Sequence, residues 1–148
     1  MADFFSVYDD IADFIKHVEG LELFPYVDTV GKLTIGYGRN LSDRGITKNE
    51  AEYLLMQDLE FVRDDLLSIF PHLDQYPKEI IIVLASMMFN LGKDRFLTFK
   101  KFINAIKKHD FESAKMEILN SKRAFQVPDR VKKEVFLINQ YLRSKNAV

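Results

Sequence analysis

Four apolar residues near the start of the chain have the spacing of one helix face. They fall at i, i+3, i+4 and i+7, and they are Ile11, Phe14, Ile15 and Val18. This spacing predicts a helix over roughly Asp9–Glu19 whose apolar face is buried. Gly20 follows directly, and glycine readily adopts the left-handed conformation that ends many helices. We therefore expect Glu19 to be the last residue of this helix.

Two short runs of strand-forming residues come next, Leu23–Val27 and Leu33–Tyr37. The Asp-Thr-Val-Gly-Lys sequence between them has the composition of a hairpin loop. Gly36 and Gly38 remove side chains from alternate positions, and glycine within a strand often marks a place where a ligand approaches the backbone closely. The segment from about 23 to 46 is therefore predicted to be a small β-hairpin lobe.

From residue 47 onward the apolar pattern is helical. Thr47 and Glu50 form a capping box, and the stripe of apolar residues after it predicts one long helix over residues 47–67. The run Ile80–Phe89 is apolar on nearly all sides but too short to cross a bilayer, so it predicts a central core helix. The remaining predictions are helices around 99–108, 110–119 and 128–142, and an irregular segment at Ser121–Val127.

This order of elements, one small hairpin followed by five or more helices, indicates an α+β, predominantly helical fold. The chain has 148 residues, of which 47% are hydrophobic, so it is large enough to bury a sizeable core. We predict a single domain over residues 1–148. Its parts are an N-terminal helix and β-lobe (8–46), a connecting helix (47–67) and a helical lobe (68–148).

The composition excludes several classes of function. The chain carries 21 basic and 22 acidic residues, a net charge of −1, which argues against a nucleic-acid binder that relies on phosphate neutralisation. It contains no Cys, so we expect no disulfide and maturation in a reducing cytoplasm. We also expect neither a signal peptide nor a membrane span, because no segment has the required pattern. The three His residues occur singly in the sequence, so we expect no metal and no other cofactor.

Three residues in the first part of the chain have the chemistry of a glycosidase site. Glu19 stands at a helix C-terminus, where the helix dipole disfavours an anion, and a carboxyl held protonated is what a general acid needs. Asp28 lies in the predicted hairpin loop, and Thr34 opens the second strand-like run. Each also has an ordinary interpretation, as a surface carboxylate, a turn residue and a β-branched strand residue respectively. It is their combination that indicates a glycosidase.

The same segment resembles the phage-type lysozyme (endolysin) family. The resemblance rests on the order Glu-Gly-Leu, then Asp, then Thr-Ile-Gly-Tyr-Gly, with matching spacing. It extends to Met88–Gly92 and to Ser121–Arg130, and it covers about residues 8–143. Two positions depart from the family pattern: Arg39 stands where a member has His, and Arg123 where an aromatic Trp lies.

The resemblance implies a lysozyme-like fold and cleavage of the β-1,4 link between N-acetylmuramic acid and N-acetylglucosamine in peptidoglycan. Glu19 would donate a proton to the leaving oxygen. Asp28 would activate a water that Thr34 helps to hold, with inversion at the anomeric carbon.

Three residues in the second half complete the site that the resemblance implies. Phe89 and Asn90 would contact the sugar chain, and a core position and a helix end are equally good interpretations of these two residues. Arg130 would lie near Glu19 as its electrostatic partner, and plain surface charge is its alternative.

The resemblance further implies a monomeric phage endolysin. It would be made in the host cytoplasm, would need a separate holin-like protein for export, and would act on the cell wall after release. Two alternatives stay open. A non-catalytic module on the same scaffold would bind peptidoglycan without releasing reducing ends, and a lytic transglycosylase would leave an anhydro-muramic product.

Overall fold

The structure is a computed structural model that describes residues 3–146. The prediction of an α+β, predominantly helical fold is confirmed, because a small three-stranded sheet is followed by helices. The chain divides into two compact units, the first ending at Tyr53 and the second beginning at Leu54. In chain order the elements are α1 (Tyr8–Glu19), β1 (Glu22–Val27), β2 (Leu33–Gly36), β3 (Arg39–Asn40), α2 (Leu41–Arg44), α3 (Lys48–Ile69), α4 (Lys78–Leu91), α5 (Lys93–Leu97), α6 (Lys100–Lys107), α7 (Phe111–Leu119), α8 (Arg123–Gln126) and α9 (Pro128–Asn146).

The strands of the first unit form an antiparallel sheet in the order β1-β2-β3. The turn between β1 and β2 is closed by hydrogen bonds from the Asp28 amide to the Lys32 carbonyl (2.9 Å) and from the Gly31 amide to the Asp28 carbonyl (3.1 Å). The pairing of β1 is irregular between Glu22 and Tyr26. Pro25 lies in this interval, and a residue without an N–H is tolerated in an edge strand or a bulge. The predicted hairpin is therefore present.

Helix α1 ends as the sequence predicts, and the rest of the first unit does not bury its apolar face. Gly20 has a φ of 72°, and its amide donates to the Lys16 carbonyl at 3.0 Å, so Glu19 is the last helical residue. No residue of α1 is buried, and Phe14 is 66% exposed. The spacing identified the apolar face but not what covers it. Within the first unit, Tyr37 contributes to a groove of about 250 Å³ on this helix and leaves most of the face open.

The start of α3 confirms the capping box. The Glu50 amide donates to Thr47 Oγ1 at 3.1 Å, and the Thr47 amide donates to Glu50 Oε1 at 2.9 Å. Arg39 of β3 pairs with the same carboxylate, its Nη2 lying 2.7 Å from Oε2, and its Nη1 donates to the Gly45 carbonyl at 3.2 Å. The hydrogen bond from Arg39, followed by the one from the Thr47 amide, lowers the pKa of Glu50 to about 2. Arg39 thus ties the sheet to the first turn of α3.

This ion pair predicts a stability change at acid pH. The pKa of Glu50 lies below the 4.5 of an unperturbed Glu, so the pair stabilises the fold above about that pH and loses its effect as the pH falls towards 2. We expect the parent chain to melt at a higher temperature than Glu50→Gln near neutral pH. The difference between the two melting temperatures should shrink as the pH falls from about 4.5 towards 2. Thermal unfolding followed by circular dichroism checks it. Glu52→Gln is the matched control, because Glu52 is 63% exposed and lies 4.0 Å from Lys48. A gap that stays constant down to the lower pH would contradict the assignment.

The core of the second unit is built around α4. Its side chains Ile80, Val83, Leu84 and Met87 are completely buried, so the prediction of a central core helix is confirmed. Helix α9 packs against α4 and α7. Three buried Phe rings add edge-to-face contacts, with centroid distances of 6.3 Å in each neighbouring pair, and they are Phe70, Phe96 and Phe102.

The predicted helices of the second unit are present, and the structure adds two short helices that were not predicted, α5 and α8. Asp110 caps α7, since its Oδ1 accepts from the Ser113 amide at 3.1 Å. The segment Ser121–Val127 was predicted to be irregular but contains the short helix α8, whose Arg123 side chain is buried. In the described part of the chain, no helix combines the length and apolar character needed to span a membrane.

Candidate active site

The carboxyl group of Glu19 lies directly over the backbone of Gly38. A Cβ atom placed on Gly38 would come 2.7 Å from Oε2 and 2.9 Å from Cδ of Glu19. Gly38 also has a φ of +78°, a conformation that other residues rarely adopt. The sequence predicted that a ligand approaches the backbone at these glycines. At Gly38 the approaching group is the chain's own Glu19, whereas a Cβ on Gly36 would meet nothing within 4 Å.

Asp28 and Thr34 are brought together by the peptide groups of Lys32. Asp28 Oδ1 accepts hydrogen bonds from the amides of Val30 (3.0 Å) and Lys32 (2.8 Å). The Thr34 hydroxyl donates to the Lys32 carbonyl at 2.9 Å, and Thr34 is 3% exposed in the middle strand. Both residues therefore have the structural roles expected of a turn Asp and a strand Thr. Asp28 Oδ2 makes no hydrogen bond within residues 3–146, so one carboxylate oxygen keeps its acceptor capacity.

In the second unit, Phe89 and Arg130 lie side by side. The Arg130 guanidinium is 6.0 Å from the centroid of the Phe89 ring, and Phe89 is 44% exposed. Both line an open groove of about 370 Å³ that is otherwise formed by apolar residues and Ser86. Asn90 is not among the residues that line this groove, and its Oδ1 accepts a hydrogen bond from Arg123 Nε at 3.0 Å. The structure thus joins two of the three predicted residues of this unit.

The partners of Arg130 within the second unit are Ser86 and Glu134. Arg130 Nε donates to Ser86 Oγ at 3.0 Å, and Nη2 donates to the Ser86 carbonyl at 2.9 Å. Its Nε also lies 3.8 Å from Glu134 Oε2. The pairing of Arg130 with Glu19 stays a prediction.

Sequence reasoning missed a buried ion pair between Arg123 and Glu134. Both guanidinium nitrogens Nη1 and Nη2 of Arg123 donate to the Glu134 carboxylate, the second at 2.7 Å, and each residue is 2% exposed. The signal was present in the sequence. Position 134 falls three residues after Val131 and four before Ile138, which places it on the apolar face of the last helix. A charged residue on such a face implies a buried partner.

Among residues 3–146, no three His, Cys, Asp or Glu side chains lie close enough to hold a metal ion.

Comparison with known proteins is consistent with this site. The family model described as phage lysozyme matches residues 16–131, a range that contains all six predicted site residues. The chain is 28% identical to a "Probable T4-type lysozyme 1" of Dictyostelium discoideum, in an alignment that covers 86% of this chain and 92% of the relative. It is 26% identical to "Probable T4-type lysozyme 2" of the same organism, with coverage of 81% and 88%. The matched residues make up well over half of the chain, and the chain therefore belongs to the phage lysozyme family.

Proposed function

We propose that the chain is a lysozyme that hydrolyses the β-1,4 link between N-acetylmuramic acid and N-acetylglucosamine in peptidoglycan. Membership of the phage lysozyme family supports a muramidase-like glycoside hydrolase. The observation that carries the proposal is the position of Glu19, whose carboxyl ends a helix and is packed against Gly38. A general acid must be held in one place within reach of the leaving oxygen, and the side-chain-free surface of Gly38 leaves the space that the Glu19 carboxyl occupies.

In this mechanism Glu19 gives its proton to the leaving oxygen, and Asp28 acts as the base. The two backbone amides on Asp28 Oδ1 hold the carboxylate in one orientation, so Oδ2 can accept a hydrogen bond from water. The Thr34 hydroxyl donates its hydrogen bond to the Lys32 carbonyl. Towards the water it can therefore act only as a hydrogen-bond acceptor. A water that donates to both oxygens keeps a lone pair for attack on the anomeric carbon. Attack from the face opposite Glu19 gives inversion and requires the carboxyls to stand about 6.5–9.5 Å apart.

Residues of the second unit would bind the sugar chain and stabilise the spent acid. The exposed ring of Phe89 offers a flat apolar surface for a sugar face. Asn90 retains its amide N–H groups as donors, because its carbonyl oxygen already accepts from Arg123. We further propose that Arg130 neighbours Glu19 and stabilises the negative charge that Glu19 carries once its proton has left.

The test is a reducing-end assay on purified peptidoglycan. We expect new reducing ends, with inverted anomeric configuration in the first products seen by NMR. Binding to pelleted walls without new reducing ends would instead indicate a wall-binding module, and an anhydro-muramic product would indicate a lytic transglycosylase. Either result would overturn the proposal.

The narrower biological role that we propose is that of a phage endolysin acting as a monomer. On this view the chain reaches the wall through a membrane lesion made by a holin-like protein. Expression in a bacterium with and without such a protein tests it, and lysis is expected only when both are present.

Gly38→Ala provides a test of how Glu19 is held. The new methyl group would occupy the space of the Glu19 carboxyl, so the acid must move, and the rate of reducing-end release should fall on the order of 10–100-fold. Gly36→Ala is the matched control. It places Ala at a similar φ of +70°, with a similar strain of about 1–2 kcal/mol, but with no atom within 4 Å. Equal losses of activity in the two variants would count against the contact with Glu19.

A further inference from the structure

A charged network lies beneath the groove that carries Arg130. Its centre is the Glu134 carboxylate, which is buried and holds the Arg123 guanidinium through two hydrogen bonds. A third donor, the Ser86 hydroxyl, donates a hydrogen bond to Glu134 Oε2 at 2.6 Å. Arg123 also reaches Asn90, so the network joins α4, α8 and α9.

The Ser86 hydroxyl connects this buried centre to Arg130. A hydroxyl can donate one hydrogen bond, and that of Ser86 is donated to Glu134. The remaining lone pairs of Oγ are then available to Arg130 Nε, which donates to Oγ at 3.0 Å. Glu134 therefore fixes the orientation of the Ser86 O–H bond, and the Ser86 oxygen is left as an acceptor for Arg130.

Arg130 itself reaches from this network to the groove surface. Its side chain is 37% exposed, whereas that of Glu134 is 3% exposed. Two of its nitrogens are bound to Ser86, and its guanidinium lies over the Phe89 ring. In the described part of the chain, Nη1 donates no hydrogen bond, so this nitrogen is the one free to meet another group.

We propose that Glu134 is a positioning residue that fixes the orientation of the Arg130 guanidinium through the Ser86 hydroxyl. The proposal rests on the proposed function, because it takes Arg130 to act in the lysozyme reaction. A buried ion pair is weak evidence for a stabilising role, since such pairs are often replaced by apolar residues without loss of stability. The connection to the partly exposed Arg130 indicates that the Arg123–Glu134 pair serves to orient the Arg130 side chain.

Two variants interrupt the connection at different points. Ser86→Ala removes the hydroxyl and leaves the Arg123–Glu134 pair in place. Arg123→Met combined with Glu134→Met removes both charges together and leaves Ser86 without its acceptor. Both should fold, and both should reduce the rate of reducing-end release at saturating peptidoglycan on the order of 10–100-fold. Ser144→Ala is the matched control, because its exposed hydroxyl donates only to the Tyr141 carbonyl of the same helix.

Combination with Arg130→Met separates positioning from structure. If Ser86 and Glu134 act through Arg130, adding either change to Arg130→Met should cause no further loss of rate. Losses that multiply would show an independent structural effect and would overturn the proposal. Parental rates in Arg130→Met or in Ser86→Ala would overturn it as well.

NMR provides a readout that does not depend on activity. The Arg130 Nε–H signal should be visible in the parent, where its proton is held by Ser86, and should broaden or shift in Ser86→Ala. An unchanged signal would overturn the positioning role. If the parent released no reducing ends while this signal responded as expected, the lysozyme function would fail and the Ser86 connection would stand.

Discussion

Glu19→Gln should abolish the release of reducing ends from peptidoglycan while the chain keeps its fold. Gln has nearly the same shape as Glu and can fill the space over Gly38, but its amide cannot act as an acid near neutral pH. General acid catalysis by a positioned side chain contributes on the order of 10²–10⁴ in rate, so the loss should lie in this range or beyond it. Initial rates on purified peptidoglycan, compared at equal protein concentration, measure it.

Two controls accompany this variant. Thermal unfolding should show a transition no lower than the parent's, because Glu19 makes no ion pair among residues 3–146 and its charge stands at the unfavourable end of the helix dipole. Glu22→Gln removes a carboxylate three residues further on, at the exposed start of β1, and should retain activity. Cell-wall lysis by Glu19→Gln at the parent rate would remove Glu19 from the mechanism.

The largest loss of stability is expected from Arg123→Met. It leaves the Glu134 carboxylate buried beside an apolar side chain, with the Ser86 hydroxyl as its hydrogen-bond donor and the Arg130 guanidinium at the longer distance of 3.8 Å. Removal of one member of a buried ion pair costs about 3–5 kcal/mol, because the other charge loses its compensation. Denaturant unfolding with linear extrapolation measures the change in the free energy of unfolding.

The double variant Arg123→Met/Glu134→Met is the decisive comparison. With both charges gone, the apolar side chains can join a core that already surrounds them on α4 and α9. We expect its free energy of unfolding to equal that of the parent or exceed it by about 1–4 kcal/mol. If the double variant were as unstable as Arg123→Met alone, lost packing and not the unpaired charge would explain the damage.

The elements that could be predicted from the sequence are those encoded by neighbouring residues. The stop of α1 at Gly20, the turn at Asp28 and the capping box of Thr47 and Glu50 each depend on side chains within a few positions. Each hydrogen bond joins residues that are close in the sequence, so a local pattern is enough to predict it. The apolar run of α4 was equally informative, because a helix that is apolar on nearly all sides must lie in a core.

What could not be predicted depends on contacts between distant residues. The partner of the α1 face is not encoded in its spacing, and the residues of the first unit leave Phe14 exposed. Segment 121–127 contains helix α8, and its Arg123 is buried where it pairs with the carboxylate of Glu134, eleven residues away. The ion pair between Arg39 and Glu50 likewise joins residues eleven positions apart, and no local pattern predicts it.

The six candidate site residues differ in the same respect. Spacing and resemblance identified them, but only the structure shows what holds them. The sequence pattern at Gly38 indicates a close approach of a ligand to the backbone, and Asn90 fits a sugar contact and a helix end equally well. Their observed neighbours, Glu19 and Arg123, are respectively nineteen and thirty-three positions away in the chain. Three-dimensional packing therefore adds the constraints on each group that a one-dimensional pattern lacks.

The contact between Glu19 and Gly38 also limits how this lineage can diverge. An ordinary mutation at position 38 brings a methyl group or more against the acid, so it would persist only alongside a shorter acid at position 19. The two codons should therefore change as a pair, and descendants that lose the glycine should carry Asp in place of Glu. Such paired replacement, sought among natural variants, would record in genetic terms the clash of less than 3 Å that a Cβ at position 38 would make with Glu19.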